Sequence, residues 1–266
     1  MVDFRILGPL EVISDDGTKA KVPPRERAFL AVLLLFAGVP CSREMLTRVL
    51  WGDSALADPA AALRVCASRA RRALGPANCV TTRDGGFRAD PAPGELDLAR
   101  FRSLLSEADT AGGRGDMGNA ASALERALAC WAYPPLADLP DSPEIAAERA
   151  RLLGQRRLAE LALTDTLLAL GQHERIVADL HAMVVAYPLS ERAWAQLMVA
   201  LHLCGRRSEA LAAYAKARSA LRPPRGGDPR GELQAVLTMV LEDWPPEEAA
   251  RSLTGSLWHR PAAQAP

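Results

Sequence analysis

The sequence predicts an α+β winged helix-turn-helix domain followed by an all-α tetratricopeptide-like helical domain. Three observations carry this reading. The β-prone runs stop at Ala89; the elements before that point fall in the order sheet, three helices, hairpin; and beyond it two glycines, Gly171 and Gly205, stand 34 residues apart, the period of a helical-hairpin repeat.

The chain has 266 residues, room for two ordinary domains. Its 32 Lys+Arg and 32 Asp+Glu cancel, so no global field draws it to a polyanion and any nucleic-acid contact must come from a local patch. A hydrophobic fraction of 49% with 24% charged residues suits a soluble globular protein. The longest apolar run, Phe29–Val39, is too short for a bilayer span, which needs roughly 20 residues. The start, Met1-Val2-Asp3-Phe4, lacks the basic stretch and cleavage site of a signal peptide. A cytoplasmic location with no membrane partner is therefore expected. Cys41, Cys66, Cys79, Cys130 and Cys204 are scattered, odd in number and never form CxxC, so free thiols are expected rather than disulfides or a zinc site.

The elements follow in order. Phe4-Arg5-Ile6-Leu7 and Leu10-Glu11-Val12-Ile13 are short strands split by Gly8-Pro9; Asp15-Asp16-Gly17 is a turn and Thr18–Val22 a further strand. Pro24 suits the first position of a helix, where a missing N–H costs nothing. Arg25–Gly38 is that helix; it is apolar nearly all round and so should be central to its domain. Ser42 is placed to cap a short helix through about Trp51. The clearest helix starts with Asp58 as cap and Pro59 behind it, and is closed by Gly75-Pro76. Cys79–Thr82 and Gly86–Ala89 then form a hairpin around Arg83-Asp84-Gly85. The Pro/Gly-rich stretch Asp90–Glu95 is the natural boundary, giving domains 1–95 and 96–245.

From Leu96 no strand is expected. Five, nine and sixteen residues after Gly171 lie Ile176, Leu180 and Tyr187; after Gly205 they are Ala210, Tyr214 and Leu221; an earlier copy from Gly115 gives Ala120, Leu124 and Trp131. Pro188 and Pro223 end two of the units, and an extra helix, about Ser142–Gly154, fits between the first and second copies. The small and large residues alternate as stacked helical hairpins require. The segment 246–266, Pro/Ala-rich from Gly255, reads as a disordered tail.

Chemistry concentrates on the helix 58–74. At 3.6 residues per turn Leu63, Cys66, Ala67, Ala70 and Leu74 share one side, and Arg64, Ser68, Arg71 and Arg72 the other, with Arg69 at the edge. Between Asp58 and Arg88 six arginines face only Asp58 and Asp84. A major groove admits one helix, and arginine reads guanine O6 and N7 in bidentate fashion; an ordinary solvated face mixes signs. Thr81, Thr82, Arg83 and Arg88 in the hairpin suit phosphate contacts, which position without specifying. Arg43 and Arg48 on the preceding helix are further phosphate candidates. Trp131, Trp194 and Tyr214 read as packing residues, and Arg206-Arg207 and Arg222–Arg225 as solvated faces. His173, His181, His202 and His259 have no partner at metal-ligand spacing, and no phosphate loop, GxGxxG or GxSxG occurs. No metal, no cofactor and no enzymatic activity are expected.

Several stretches, taken together, resemble the Streptomyces antibiotic regulatory protein family. They are Phe4-Arg5-Ile6-Leu7-Gly8-Pro9-Leu10-Glu11-Val12, Leu50-Trp51-Gly52, Ser68-Arg69-Ala70-Arg71-Arg72-Ala73-Leu74-Gly75, Pro135-Leu136-Ala137-Asp138-Leu139, Pro188-Leu189-Ser190-Glu191-Arg192, the run from Gly205 to Tyr214, and Asp228-Pro229-Arg230-Gly231-Glu232-Leu233. The resemblance spans about residues 2–242 in order. It implies an OmpR-type winged helix joined to a bacterial transcriptional activation domain. It also implies an activator of an antibiotic gene cluster that binds direct repeats in double-stranded DNA near promoters, with a second protomer alongside on the DNA, and that recruits RNA polymerase holoenzyme. By position, Arg64, Ser68, Arg71 and Arg72 take the DNA-facing slots, and residues 52–57 fall where OmpR-type domains touch polymerase. Ala61 stands where family members often have Asn, and Cys66 where they have a larger residue. Larger members carry an ATPase module, for which this chain has no phosphate loop. The alternative reading is a tetratricopeptide-like adaptor for protein contacts whose winged helix no longer reads DNA.

Overall fold

The computed structural model describes residues 2–52, 56–83, 85–132, 134–221 and 231–245; the expected tail at 246–266, the Arg222–Arg225 run and Asp84 of the hairpin turn lie outside them. Two compact units emerge, one drawn from Met1–Leu105 and Arg126–Arg157, the other from Ser106–Glu125 and Leu158–Pro266. This division differs from a break at residue 95, because residues 126–157 return to the N-terminal unit.

In the first unit, β1 (Asp3–Arg5) and β2 (Glu11–Ile13) pair antiparallel, with Phe4 opposite Val12. Both of these side chains are buried, as the two-residue period of a half-buried strand requires. The strand expected at Thr18–Val22 reduces to a single bridge between Ile13 and Lys19. The returning segment bonds to the chain just after β1: the Ala132 amide donates to Leu7 O at 3.0 Å and the Leu136 amide to Ile6 O at 3.1 Å. Leu136 is buried with φ of 54°, a left-handed conformation costly for a side-chain-bearing residue. Arg149 holds it there, donating from Nη2 to Leu136 O at 3.1 Å and from Nε to Pro135 O at 3.3 Å. Two residues on, Asp138 accepts from Arg27 Nη1 at 3.0 Å and from the Leu10 amide.

The winged helix follows. Helix α1 (Pro24–Leu35) begins with Pro24 at its first turn and is buried at Glu26 and from Ala28 to Leu35. Ser42 caps α2 (Arg43–Trp51), accepting from the Met45 amide at 3.2 Å. Asp58 caps α3 (Pro59–Leu74), accepting from the Ala61 amide at 2.8 Å. The wing is β4 (Val80–Arg83) and β5 (Gly86–Ala89). The sequence reading missed β3 (Cys41–Ser42), which makes the sheet three-stranded in the order β3-β5-β4; two residues are too few to show a strand's alternation. Its approach to β5 requires Gly86: a Cβ there would sit 1.9 Å from Cys41 O. Phe29 of α1 meets Phe87 of β5 edge to face at 5.4 Å, tying the helices to the wing.

All described elements beyond Ala89 are helical. Helices α4 (Asp97–Gly113), α5 (Met117–Leu128) and α6 (Pro143–Ala169) each contribute residues to both units. The extra helix expected to end at Gly154 instead continues to Ala169; a glycine inside a helix costs only about 1 kcal/mol relative to alanine. In the second unit α7 (His173–Ala186), α9 (Arg207–Leu221) and α10 (Glu232–Leu241) surround α8 (Glu191–Leu203), which is buried from Ala193 to His202. The three repeat glycines share one geometry. Gly115, Gly171 and Gly205 have φ of 78°, 72° and 71°. After each, the next amide reaches back five residues, Asp116 to Ala111 O, Gln172 to Leu167 O and Arg206 to Leu201 O. That is the helix stop which glycine accommodates without strain, and it fixes the register of the repeat. The repeat slots Ala120, Leu124, Ile176, Leu180 and Ala210 are buried.

Candidate nucleic-acid interface

Helix α3 buries Leu63, Cys66, Ala67, Ala70 and Leu74, so its register is fixed by the core. Burial pushes the Cys66 thiol up to about 12; this position is a core slot, not a contact. On the other side Arg64, Ser68 and Arg72 stand exposed in one stripe. Arg64 Nη2 lies 3.9 Å from Asp58 Oδ2 with both side chains mostly in solvent, a pair that constrains little. Val65, which the sequence reading passed over, is 49% exposed on the same stripe. The signal was there: an apolar residue on the polar side of an otherwise clean amphipathic helix.

Arg71 departs from expectation. It is half-buried, donating from Nε to Val80 O at 3.0 Å and from Nη2 to Thr82 Oγ1 at 2.8 Å. Instead of projecting with Arg64, it fastens α3 to the first wing strand. The helical wheel misplaced it because the wing covers that flank of the helix, and a wheel contains no neighbour.

Other predicted residues are drawn into ion pairs, two with acids distant in sequence and one with a neighbour. Arg69 is exposed, with Nη1 3.8 Å from Glu26 Oε1, and Glu26 is buried beneath it. Arg48 is exposed but its Nε lies 3.1 Å from Glu144 Oε1. Arg88 is half-buried, with Nε 2.8 Å from Asp90 Oδ1. Thr81 Oγ1 donates to Arg88 O at 3.4 Å. Arg83 at the wing tip and Arg43 at the start of α2 are exposed, as is Thr82. The excess of arginine counted along the sequence is therefore tempered in space by Glu26, Asp90 and Glu144. Among the described residues no group of three His, Cys, Asp or Glu is placed to hold a metal ion, and no helix is long and apolar enough to cross a membrane.

The chain matches two family models in succession: "Transcriptional regulatory protein, C terminal" over residues 17–89 and "Bacterial transcriptional activator domain" over residues 96–241. It is 30% identical to the regulatory protein DnrI of Streptomyces peucetius over 250 residues, 90% of this chain and 92% of that protein. The chain belongs to the Streptomyces antibiotic regulatory protein family of transcriptional regulators. A second member of similar sequence is the regulatory protein AfsR of Streptomyces coelicolor, 38% identical over 97% of this chain but only 26% of its own length. This chain thus spans about a quarter of AfsR. The solved structure of Mycobacterium tuberculosis EmbR in complex with a low-affinity phosphopeptide superposes with a TM-score of 0.87 at 28% identity, covering 96% of this chain and 69% of that one. Against these relatives the order of winged helix and helical activation domain is that of a family regulator. The exposed stripe of α3 lies within the first matched segment.

Proposed function

We propose that this chain activates transcription of an antibiotic gene cluster by binding direct repeats in promoter DNA and recruiting RNA polymerase holoenzyme. The observation that carries the reading is the stripe Arg64, Val65, Ser68 and Arg72 on α3: exposed, free of acids, and backed by a buried face that fixes which side chains project. Laid in a major groove, Arg64 meets a guanine edge and the Val65 methyls suit a thymine methyl. Arg43, Arg72 and Arg83 take phosphates, with Arg69 in reach of the same surface. Direct repeats place two protomers side by side, head to tail. Polymerase contact falls to residues 52–57, of which 53–55 lie outside the described residues, and to the helical domain. Regulatory relatives in Streptomyces support the same reading. It needs no cofactor and no catalytic set.

The adaptor reading gains one observation: Arg48, Arg69, Arg71 and Arg88 all have partners within the protein. A gel shift on the promoter of the neighbouring gene cluster, at two salt concentrations and against random DNA, separates the two. Activator function predicts specific binding that weakens steeply with salt, because each phosphate contact releases counterions. Absence of binding at low salt would put the adaptor first.

A further inference from the structure

In the second unit α7 and α9 both pack on α8, and a groove of about 210 Å³ opens where the three helices meet. Small-molecule sites begin at roughly 300 Å³, so this volume suits protein side chains better than a ligand. Val184 and Val185 of α7, Trp194 and Leu197 of α8 and Ala213 of α9 line it. Val185 is 81% exposed, and so is 75% of Leu189, which stands at the groove because the preceding carbonyl, Pro188 O, accepts from Trp194 Nε1 at 2.9 Å. Three polar side chains complete the lining: His181, Glu209 and Lys216. Glu209 is already neutralised by Arg206, whose Nε and Nη2 donate to its two oxygens at 2.7 Å each. Lys216 is exposed and has no ion pair among the described residues. The groove is thus an apolar bed with a free cation on its rim.

The same unit carries a surface of the opposite kind. At the end of α10, Leu241, Glu242, Asp243 and Trp244 are all exposed. The corner they form is held in shape: Asp243 takes φ of 54°, the Trp244 amide donates to Met239 O at 3.2 Å, Trp244 O lies 3.0 Å from His202 Nε2, and Glu242 Oε2 accepts from Trp244 Nε1 at 2.9 Å. Arg207 Nη2 donates to Leu241 O at 2.7 Å, so two carboxylates accompany one guanidinium and the corner is negative. We propose that the groove receives the α10 corner of a second copy of this chain. Leu241 and Trp244 lie along Val184, Val185 and Leu189, and the corner's carboxylates face Lys216. Pairing groove with groove would bring Lys216 against its own copy, and pairing corner with corner would gather four carboxylates. Direct repeats demand such an unlike pair: copies related by a shift along DNA share no two-fold axis, so the surfaces that touch must differ. The inference rests on the proposed binding to direct repeats for this setting alone. The patch is small and the contact weak in free solution. Neighbouring repeats hold two copies at an effective concentration on the order of 1 mM, where a weak contact makes their binding cooperative.

The test is sedimentation equilibrium of the full chain without DNA, from micromolar concentration to about 1 mM, so failure of the DNA reading leaves it intact. The weight-average mass is expected to rise with concentration and to show no plateau at the dimer, because an unlike pair always leaves one groove and one corner free. Lys216→Glu in the groove and Glu242→Lys in the corner are each expected to weaken association at least tenfold. Both positions are exposed, and the end of α10 favours a cation. Mixed in equal amounts, the two variants are expected to associate again, since each supplies the intact surface that the other lacks. Should either not fold, Val185→Gln and Leu241→Gln, which remove the apolar side chains, take their place. A chain monomeric at about 1 mM, a single variant that associates as the parent does, a mixture that stays monomeric, or a plateau at the dimer would overturn the proposal.

Discussion

Asp97 is a single carboxylate on which the start of the chain depends. It is buried, and accepts from the Ile6 and Leu7 amides at 2.8 Å and from the Leu98 amide at 2.7 Å. Burial pushes it up to about 6, against the lowering effect of those amides. A folded-state pKa above the unfolded one means that the native state holds the proton more tightly. The cost of the ionised form is therefore absent below about pH 4 and complete above about pH 6, and this contribution to stability falls as pH rises between them. Two pKa units correspond to about 3 kcal/mol. Asp97→Asn cannot titrate, and its amide presents a donor to one of the backbone donors, so it starts less stable than the parent. Its deficit should shrink by about 3 kcal/mol between pH 4 and pH 7, as measured by urea unfolding of both proteins at the two pH values. A deficit that stays constant or grows contradicts the shift. Asp165, fully buried and also pushed up to about 6 by burial despite Arg192 Nη2 at 2.8 Å, follows the same sign in the second unit.

Arg71 ties α3 to the wing. Its two bonds to Val80 O and Thr82 Oγ1 fasten α3 to β4. Arg71→Met keeps much of the side-chain volume and removes both bonds. A hydrogen bond from a charged group is worth about 1.5–3 kcal/mol, and part of this is recovered because the exposed Thr82 hydroxyl can bond water instead. The expected result is about 1–2 kcal/mol lost stability and weaker binding to specific and random DNA alike, since the wing loses its placement. Denaturant unfolding paired with anisotropy titrations checks both; selective loss on the specific site alone would return Arg71 to the base-reading role. The caps at Ser42 and Asp58 and the proline start of α1 were legible in sequence because each depends on residues within a turn of one another. The three glycine stops were legible for the same reason. The strand β3, the extension of α6 past Gly154 and the capture of Arg48 by Glu144 were not, since each is decided by a partner that local periodicity does not contain.

Across the whole molecule, the stretch Pro135–Leu139 shows what a family word does physically. Leu136 and Asp138 return the chain to Ile6, Leu10 and Arg27, so the N-terminal unit is closed by residues more than a hundred positions downstream. The composition break at Asp90–Glu95 was visible in sequence; this return was not. A fragment of residues 1–95 lacks Asp97 and the returning segment. In it the Ile6 and Leu7 amides should exchange with solvent at least a hundredfold faster than in the full chain, because the loss of bonds worth about 1.5–3 kcal/mol each compounds. Hydrogen exchange on the two proteins measures this, and equal protection would show that residues 1–95 are self-sufficient. The proposed function requires α3 to read DNA with the stripe its core packing exposes. Its most direct measurement is the affinity of Arg64→Ala for the specific repeat and for random DNA, with a melting curve as control. An exposed substitution should leave stability within about 0.5 kcal/mol, while a lost guanine contact should reduce specific binding by about 1–3 kcal/mol and random binding far less. A folded Arg64→Ala that binds the repeat with unchanged affinity would contradict the claim.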